Sequence, residues 1–139
     1  MTWTIYDPTT GITTSRVRNQ NQIVGRPHVP GSYQPGQWFV KLGQIRRLPD
    51  PPASLDHVVW IWNLEQESWS VDAARTEWAA RDARERLLID VDRVNPMWWQ
   101  AMTVEQQTET AAYRQAILDL PGQPGWPESI DWPPKPAWL

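Results

Sequence analysis

Cysteine is absent from the 139 residues of this chain, and so is any long apolar run. Without cysteine there is no disulfide framework, no cysteine-ligated zinc site and no thiol nucleophile. The longest notable apolar run, Val58–Trp62, is far shorter than the roughly 20 residues that cross a bilayer. Met1–Asp7 lacks the basic start and the apolar stretch of a signal peptide. We therefore expect synthesis in the cytoplasm and no membrane partner, with later assembly into a particle left open.

Basic residues are not in excess. The chain has 13 Lys and Arg against 16 Asp and Glu, a formal net charge of −3, and no basic block. Binding to nucleic acid without sequence preference needs many basic side chains on phosphates, which a mildly acidic chain does not supply. No glycine-rich phosphate loop occurs either. We expect no nucleic-acid partner and no cofactor.

Tryptophan and proline are abundant instead, with 11 Trp and 14 Pro against one Phe. A chain that needed only a core would use mainly Leu, Ile, Val and Phe, which carry no polar atom. The indole N–H favours positions with one wet edge, and Trp and Arg are enriched at interface hot spots. The 40% hydrophobic content permits a core in one compact domain, alone or with an appendage. This composition favours a protein that acts through contact surfaces.

Residues 1–70 have the pattern of short strands separated by turns. Trp3–Tyr6 is rich in β-forming residues and leads into the turn sequence Asp7–Gly11, after which Ile12–Val17 can return as a partner strand. The segment 19–36 carries three prolines and predicts an ordered loop or a broken sheet edge. An antiparallel hairpin followed by an irregular segment is expected here.

Two further hairpins are predicted. Residues 37–48 flank a turn, and the prolines after them cannot donate to a sheet. Residues 57–71 predict another hairpin, in which Trp60 and Trp62 alternate onto one face. Trp69 on the returning strand is expected to meet that face.

From Asp72 the hydrophobic period becomes helical. Asp72 is a plausible N-cap, and the pair Asn95-Pro96 predicts a stop because proline disfavours a helical residue before it. The apolar stripe of this helix comprises Ala80, Ala83, Leu87, Val91 and Val94.

A second helix is predicted from Thr103, which forms a capping box with Gln106, to about Leu120. The two helices are expected to fold back as an antiparallel hairpin, through a short connection that contains Trp98 and Trp99.

The last 19 residues contain six prolines and three tryptophans, so they predict an extended, largely polyproline-like tail. The expected fold class is α+β, in three regions. Residues 1–70 are β-rich, residues 71–120 form the helical hairpin, and residues 121–139 form the tail.

Candidate catalytic and metal sites are weak. His28 and His57 could join carboxylates around zinc, but no ligand spacing recurs. Asp56-His57 with a distant serine could be drawn as a triad, yet no nucleophile turn accompanies any serine. We assign no catalytic residue and no metal ligand, and expect a protein that is not an enzyme.

Two pairs of carboxylates occur close together in sequence. Glycoside hydrolysis needs two carboxyl groups across a cleft, which such neighbours do not predict. Glu65 and Glu67 are expected to solvate a hairpin turn, and Asp90 and Asp92 to face solvent near the end of the first helix.

The tryptophans divide into three groups. Trp60, Trp62, Trp69 and Trp78 are expected to pack in or near the core. The pair Trp98-Trp99 lies at the helix corner, where one ring can be buried and the other exposed. The tail tryptophans are the best interface candidates, although docking of the tail across the helices is equally open, since either event buries apolar area.

Five short motifs occur in order along the second half of the chain: Arg81–Leu88, Met102–Gln107, Ala112–Ala116, Leu120–Pro127 and Ile130–Pro134. Together they resemble phage tail assembly chaperones, which include the tail-fibre assembly proteins of tailed phages. The resemblance spans residues 37–136, and the residues before it match no pattern of that family. Trp126 stands where phenylalanine is usual.

The resemblance implies a small non-enzymatic protein that helps a fibre or other tail polypeptide to fold or assemble. It implies work in the host cytoplasm during assembly, with retention on the virion tail left open, and a homo-oligomer is open too. The residues predicted to contact the partner are Trp98, Trp99, Tyr113, Arg114, Trp126, Trp132 and Trp138.

Two other functions remain open from the sequence. One is a structural component of the virion, associated with the tail fibre or the baseplate. The other is a carbohydrate-binding accessory protein, because a row of exposed indole rings could stack on sugars.

Overall fold

A computed structural model describes residues 1–53 and 56–139. The chain forms two compact units. Unit 1 comprises residues 1–53 and 60–70, and unit 2 comprises residues 54–59 and 71–139. Antiparallel sheets occupy unit 1 and helices occupy unit 2, so the α+β prediction is confirmed. Within the described residues, no helix combines the length and apolar content needed to cross a membrane.

The first sheet of unit 1 has three strands in the order β2-β1-β3. They are β1 (Trp3–Tyr6), β2 (Thr13–Val17) and β3 (His28–Pro30), and both partners of β1 run antiparallel to it. The predicted β1-β2 hairpin is therefore confirmed. The proline-rich segment supplies β3, an edge strand, where a proline without an N–H group is tolerated.

The turn between β1 and β2 follows from its sequence. The Asp7 carboxylate accepts hydrogen bonds from the backbone N–H groups of Thr9 and Thr10. These bonds hold the pKa of Asp7 below its ordinary value. Gly11 has a φ of 72°, and a Cβ there would meet the carbonyl oxygen of Val40 at 2.5 Å, so only glycine fits.

Two hairpins complete unit 1, as predicted. They are formed by β4 (Trp38–Lys41) with β5 (Gln44–Arg47) and by β6 (Trp60–Asn63) with β7 (Ser68–Val71). The β6 strand begins at Trp60 rather than at residue 57, since His57 already belongs to unit 2.

A small aromatic core holds unit 1 together. Trp62 lies 5.0 Å from Phe39 and 5.4 Å from Trp69, measured between ring centroids. The Trp69 indole N–H donates to the carbonyl of Pro49. Trp69 therefore meets the face of β6 as predicted, and its polar edge is satisfied.

Unit 2 contains α1 (Ala73–Asp92), α2 (Pro96–Ala101) and α3 (Val104–Asp119). The carboxylate of Asp72 accepts a hydrogen bond from the N–H of Arg75, so the predicted N-cap is confirmed. Thr103 and Gln106 form the predicted capping box, with bonds of 3.2 and 3.0 Å. Both long helices therefore begin where their caps indicate.

Two predictions about the helices are wrong. The connection is not a simple turn, because Asn95 caps α2 and Pro96 occupies its first turn, where a missing N–H costs nothing. Trp78 is 71% exposed rather than part of the core. Its position lies about 200° around α1 from the buried Thr76 and Ala80, on the opposite face.

The core of unit 2 is continuous from the helices into the tail. Side chains of α1 and α3 pack together and against Leu120 and Ile130. Residues 120–129 form a short 3-10 turn and further turns, whereas within the tail residues 130–136 and Leu139 lack regular structure. The prediction of a largely extended tail is thus correct only beyond residue 129.

Candidate functional site

Helix α2 and the first residue of α3, Val104, carry exposed apolar side chains that are close together in sequence. Trp98 is 66% exposed and Trp99 is 38% exposed, and Met97 and Val104 beside them are more exposed still. We name these four residues the α2 patch. Large apolar groups grouped on a surface mark interaction sites more often than scattered ones do.

The backbone under the α2 patch is fixed by local hydrogen bonds. The Asn95 side chain accepts from the N–H of Trp98 at 3.0 Å, which caps α2. The Gln107 amide on α3 donates to the carbonyl of Trp99 at 2.7 Å, which ties the end of α2 to the next helix. The α2 patch therefore lies on a helix corner whose backbone is fixed by hydrogen bonds.

The tail docks on the helices of its own unit. Ile130 is buried in the helical core, and Trp126, Trp132 and Leu139 pack partly buried against it. The Gln123 side chain makes two hydrogen bonds of 2.9 Å to the backbone of Asp131, which close the loop between them. Intramolecular docking, one of the two arrangements left open by the sequence, is what the structure contains.

The end of the tail is held by a weaker contact. Trp138 remains 37% exposed, and its indole N–H donates to the hydroxyl of Thr110 on α3 at 3.3 Å. Its ring therefore combines one satisfied polar edge with an accessible apolar face, an arrangement typical of tryptophan at interfaces.

Two predicted contact residues have intramolecular partners. Tyr113 is buried in the core of unit 2, where desolvation and the nearby charge of Asp90 raise the pKa of its hydroxyl. Arg114 on α3 forms a hydrogen-bonded ion pair of 2.8 Å with Asp92 at the end of α1. That bond lowers the pKa of the Asp92 carboxyl and raises that of the guanidinium. The role of both residues in partner binding stays a prediction.

An apolar groove lies where α1, α3 and the tail meet, and sequence reasoning did not locate it. Its volume is about 370 Å³. The two residues that α1 contributes, Ala83 and Leu87, belong to the predicted apolar stripe, and that stripe was the signal in the sequence that could have indicated the groove. The tail residues that form the other wall follow no periodic pattern. The groove is lined by Ala83, Leu87, Tyr113, Trp132, Pro133 and Lys135.

The residues considered for metal binding or catalysis have other surroundings. His28 lies on β3, where its Nδ1 is 2.8 Å from the carbonyl of Arg26. His57 is buried in unit 2, with its ring edge-on to Trp132 at 6.1 Å. Across residues 1–53 and 56–139, no group of three histidine or acidic side chains could hold a metal ion.

Three of the four paired carboxylates, Glu67, Asp90 and Asp92, form ion pairs. Glu67 accepts from Arg46 at 2.7 Å and from Lys41 at 2.9 Å, and these bonds lower its pKa. Asp90 lies 3.9 Å from Arg93 and 4.0 Å from Lys135. Both contacts of Asp90 are long and exposed, so each stabilises the fold only slightly.

The helical part of the chain matches a known family model. Residues 74–137 match the family model of the phage tail assembly chaperone protein. The resemblance noted in the sequence is confirmed over this segment, while residues 37–73 lie outside the match. The segment includes the α2 patch and every predicted contact residue except Trp138. No curated protein and no solved structure matches the chain.

Proposed function

We propose, from the match of residues 74–137 to phage tail assembly chaperones, that this protein is a non-enzymatic chaperone of a tail-fibre polypeptide. It binds the fibre chain non-covalently and assists its folding or its attachment to the tail. This work takes place in the host cytoplasm during assembly. Retention of the protein on the finished tail is compatible with the same contact.

The α2 patch supports this proposal on physical grounds. Full burial of a large apolar side chain stabilises a complex by about 2 kcal/mol before the costs of association. Trp98 and Met97 are largely accessible in the free protein, so a partner that covers them gains most of that energy. Their short, capped helix needs little ordering when the partner binds. The patch is therefore the first contact that we assign to the fibre polypeptide.

The apolar groove supplies a second contact within the same unit. It is lined by carbon-rich side chains of α1, α3 and the tail, with Lys135 at its border. A cavity of this size accommodates an apolar side chain of the partner. In this proposal the predicted contact residues Trp132 and Tyr113 act as walls of the groove rather than as exposed anchors.

Binding alone is sufficient for the proposed work. Long β-rich polypeptides expose unpaired strand edges and apolar surface while they fold, and these surfaces aggregate. A small protein that covers such a surface lowers the concentration of the aggregating species. It needs no energy source. Its affinity must be such that completion of the fibre releases it, or that it stays bound to the finished fibre without harm.

Co-expression tests the proposal. The fibre polypeptide is produced with and without this protein, and soluble fibre and the complex are measured by size-exclusion chromatography. We expect a stable complex, or soluble fibre only when both chains are present. Equal yields of folded fibre without this protein, together with no complex, would contradict the proposal.

A structural role in the virion has its own readout. Mass spectrometry of purified particles reports whether the protein is present in stoichiometric amounts. Stoichiometric presence in particles, with fibre that folds normally in its absence, would favour a structural component over a chaperone.

A further inference from the structure

A cleft in unit 1 has the composition of an anion site, and it lies outside the residues that match the family. Its volume is about 260 Å³, and it is lined by Arg16 of β2, by Arg18 directly after that strand, and by the hydroxyl-bearing Thr2 and Ser32. None of the described residues that line the cleft is a carboxylate. Among the described residues neither guanidinium has an ion-pair partner, whereas Arg46 of the same unit is paired with Glu67.

The strand register places both arginines on one face of the sheet. Arg16 and Arg18 are two residues apart, and side chains at that spacing in a strand point the same way. The register pairs Arg16 with Thr4 of β1. Continued one residue past the ends of both strands, it brings Arg18 beside Thr2, and both of these residues line the cleft. The Thr4 hydroxyl is already used, since it donates to the carbonyl of Gly31. The guanidinium groups of Arg16 and Arg18 therefore lie on the same face, and among the described residues neither is neutralised by a carboxylate.

The backbone of β2 also has an open edge at this point. On the other side of β1, Tyr6 donates to Pro27 and Gly31 donates to Thr2. In an antiparallel sheet the backbone N–H and C=O groups of successive residues point alternately to the two neighbouring strands. The backbone groups of the even-numbered residues of β1 therefore point towards β3, and those of its odd-numbered residues point towards β2. Ser15 and Val17 bond to β1, so the N–H and C=O of Arg16 point away from the sheet. The strand β2 is one of the two edge strands of its sheet. Gly36 donates to the carbonyl of Thr13 on its outer side, but among the described residues no backbone group bonds to Arg16 there.

We propose that this edge binds an extended acidic polypeptide segment of a partner, as an added strand whose carboxylates reach Arg16 and Arg18. A residue opposite Arg16 on an added strand presents its side chain on the same face, about 5 Å away. Two carboxylates two residues apart would therefore meet the two guanidinium groups. Charge-assisted hydrogen bonds of this kind are stronger than neutral ones and fix the register.

A polypeptide fits this edge better than a nucleic acid does. Nucleic-acid binding without sequence preference needs a long basic surface. Unit 1 has only six basic and four acidic side chains, a net charge of +2. The open backbone edge pairs with peptide groups, which nucleic acids lack. This inference goes beyond the proposed function, and its test does not involve the fibre.

Fluorescence anisotropy with the full chain tests the inference. The probe is a labelled peptide of sequence Ser-Thr-Glu-Thr-Glu-Thr-Ser, compared with the same peptide carrying glutamine in place of glutamate. We expect the double variant R16Q/R18Q to bind the acidic peptide at least about tenfold more weakly than the wild type. The charge-matched control R26Q/R47Q removes two exposed arginines elsewhere in unit 1 and should leave the affinity within about twofold.

Two further measurements keep the outcome decisive. The variant R16K/R18K keeps both charges but loses the planar fork, and it should bind with intermediate affinity. An oligothymidylate serves as competitor, and circular dichroism checks that each variant is folded. Equal binding of the acidic peptide to the wild type and R16Q/R18Q, or tighter binding of the oligonucleotide than of the peptide, would overturn the inference.

Discussion

Five of the tryptophans lie in unit 1 and six in unit 2, and the two sets differ in exposure. In unit 1 every indole is buried or half-buried, and Trp62 is only 3% exposed. In unit 2 the rings of Trp78, Trp98, Trp99 and Trp138 are exposed. The same residue type therefore serves stability in one unit and is available for contact in the other.

The difference follows from the elements that each unit contains. Sheets of two or three strands are marginal by themselves, so unit 1 needs large rings to fill its small cores. Unit 2 fills its core chiefly with aliphatic side chains of two long helices, such as Leu88 and Ile117.

The two units also differ in net charge. Unit 2 has seven basic and twelve acidic side chains, a net charge of −5, against +2 for unit 1.

The largest expected effect tests this comparison directly. Replacing Trp62 by alanine should destabilise unit 1 by about 3–5 kcal/mol, because it empties the centre of the aromatic core. Trp98→Ala should change the stability of unit 2 by less than about 0.5 kcal/mol. Amide hydrogen exchange measured separately in strands β4 to β7 and in α1 to α3 provides both values. Similar losses for the two variants would remove the distinction between the units.

A medium effect tests whether the tail belongs to the core of unit 2. Trp132 is half-buried against the helices, so Trp132→Ala should destabilise unit 2 by about 2 kcal/mol. Trp138→Ala, which removes one exposed ring and a 3.3 Å hydrogen bond, should cost no more than about 1 kcal/mol. Urea unfolding followed by helical ellipticity gives the two values. An equal and negligible cost would mean that the tail is not docked.

A smaller effect, of the opposite sign, is expected in unit 1. Leu42 is 95% exposed and has a φ of 51°, which a branched side chain adopts only at a cost. Leu42→Asn creates an Asn-Gly turn and should stabilise the β4-β5 hairpin by about 0.5–1 kcal/mol. Gly43→Ala, at a φ of 75°, should destabilise it by a similar amount. Hydrogen exchange of the β4 and β5 amides measures both, and stabilisation by the alanine variant would refute the turn geometry.

The smallest effect concerns the acid stability of unit 2. Arg114 holds the pKa of Asp92 below its ordinary value of 3.8 through a hydrogen bond and through charge attraction. A carboxyl whose pKa is lowered by folding contributes stability above its unfolded pKa, and that stability disappears as the pH falls through the folded pKa. Both side chains are about half exposed, so the contribution should not exceed about 0.5 kcal/mol.

Urea unfolding of unit 2 as a function of pH checks this expectation. Arg114→Gln and Asp92→Asn should each reduce the loss of stability between pH 5 and pH 3, and the double variant should behave like either single variant. If the free energy of unfolding depends on pH in the same way for the wild type and Arg114→Gln, the ion pair does not couple protonation of Asp92 to folding.

Local signals in the sequence were sufficient for most of the secondary structure. Strand alternation, the turn at Asp7 and the caps at Asp72 and Thr103 depend on neighbours within a few residues. The helix α2 was missed because Asn95-Pro96 both ends one helix and begins the next. Trp78 was misplaced although its angular position relative to the predicted stripe already excluded the core.

The candidate surfaces were less accessible to sequence reasoning. The pair Trp98-Trp99 stands out in the sequence because two adjacent tryptophans at a helix corner cannot both be buried easily. The expectation was one buried and one exposed ring, whereas both rings are exposed. The groove beside Trp132 and the cleft at Arg16 depend on contacts between segments far apart in the chain, for which no short-range pattern exists. Composition indicated contact surfaces, but only the fold could place them.

The central claim is that the exposed tryptophans of α2 bind the fibre polypeptide, and matched variants measure it most directly. The fibre polypeptide is titrated with the wild type, with the double variant W98S/W99S, and with W78S, which removes from α1 a ring that is 71% exposed, more than Trp98 or Trp99. We predict that W98S/W99S weakens binding at least about tenfold, with unchanged thermal stability, while W78S stays within about twofold of the wild type. Equal affinities for all three proteins would contradict the assignment of the α2 patch.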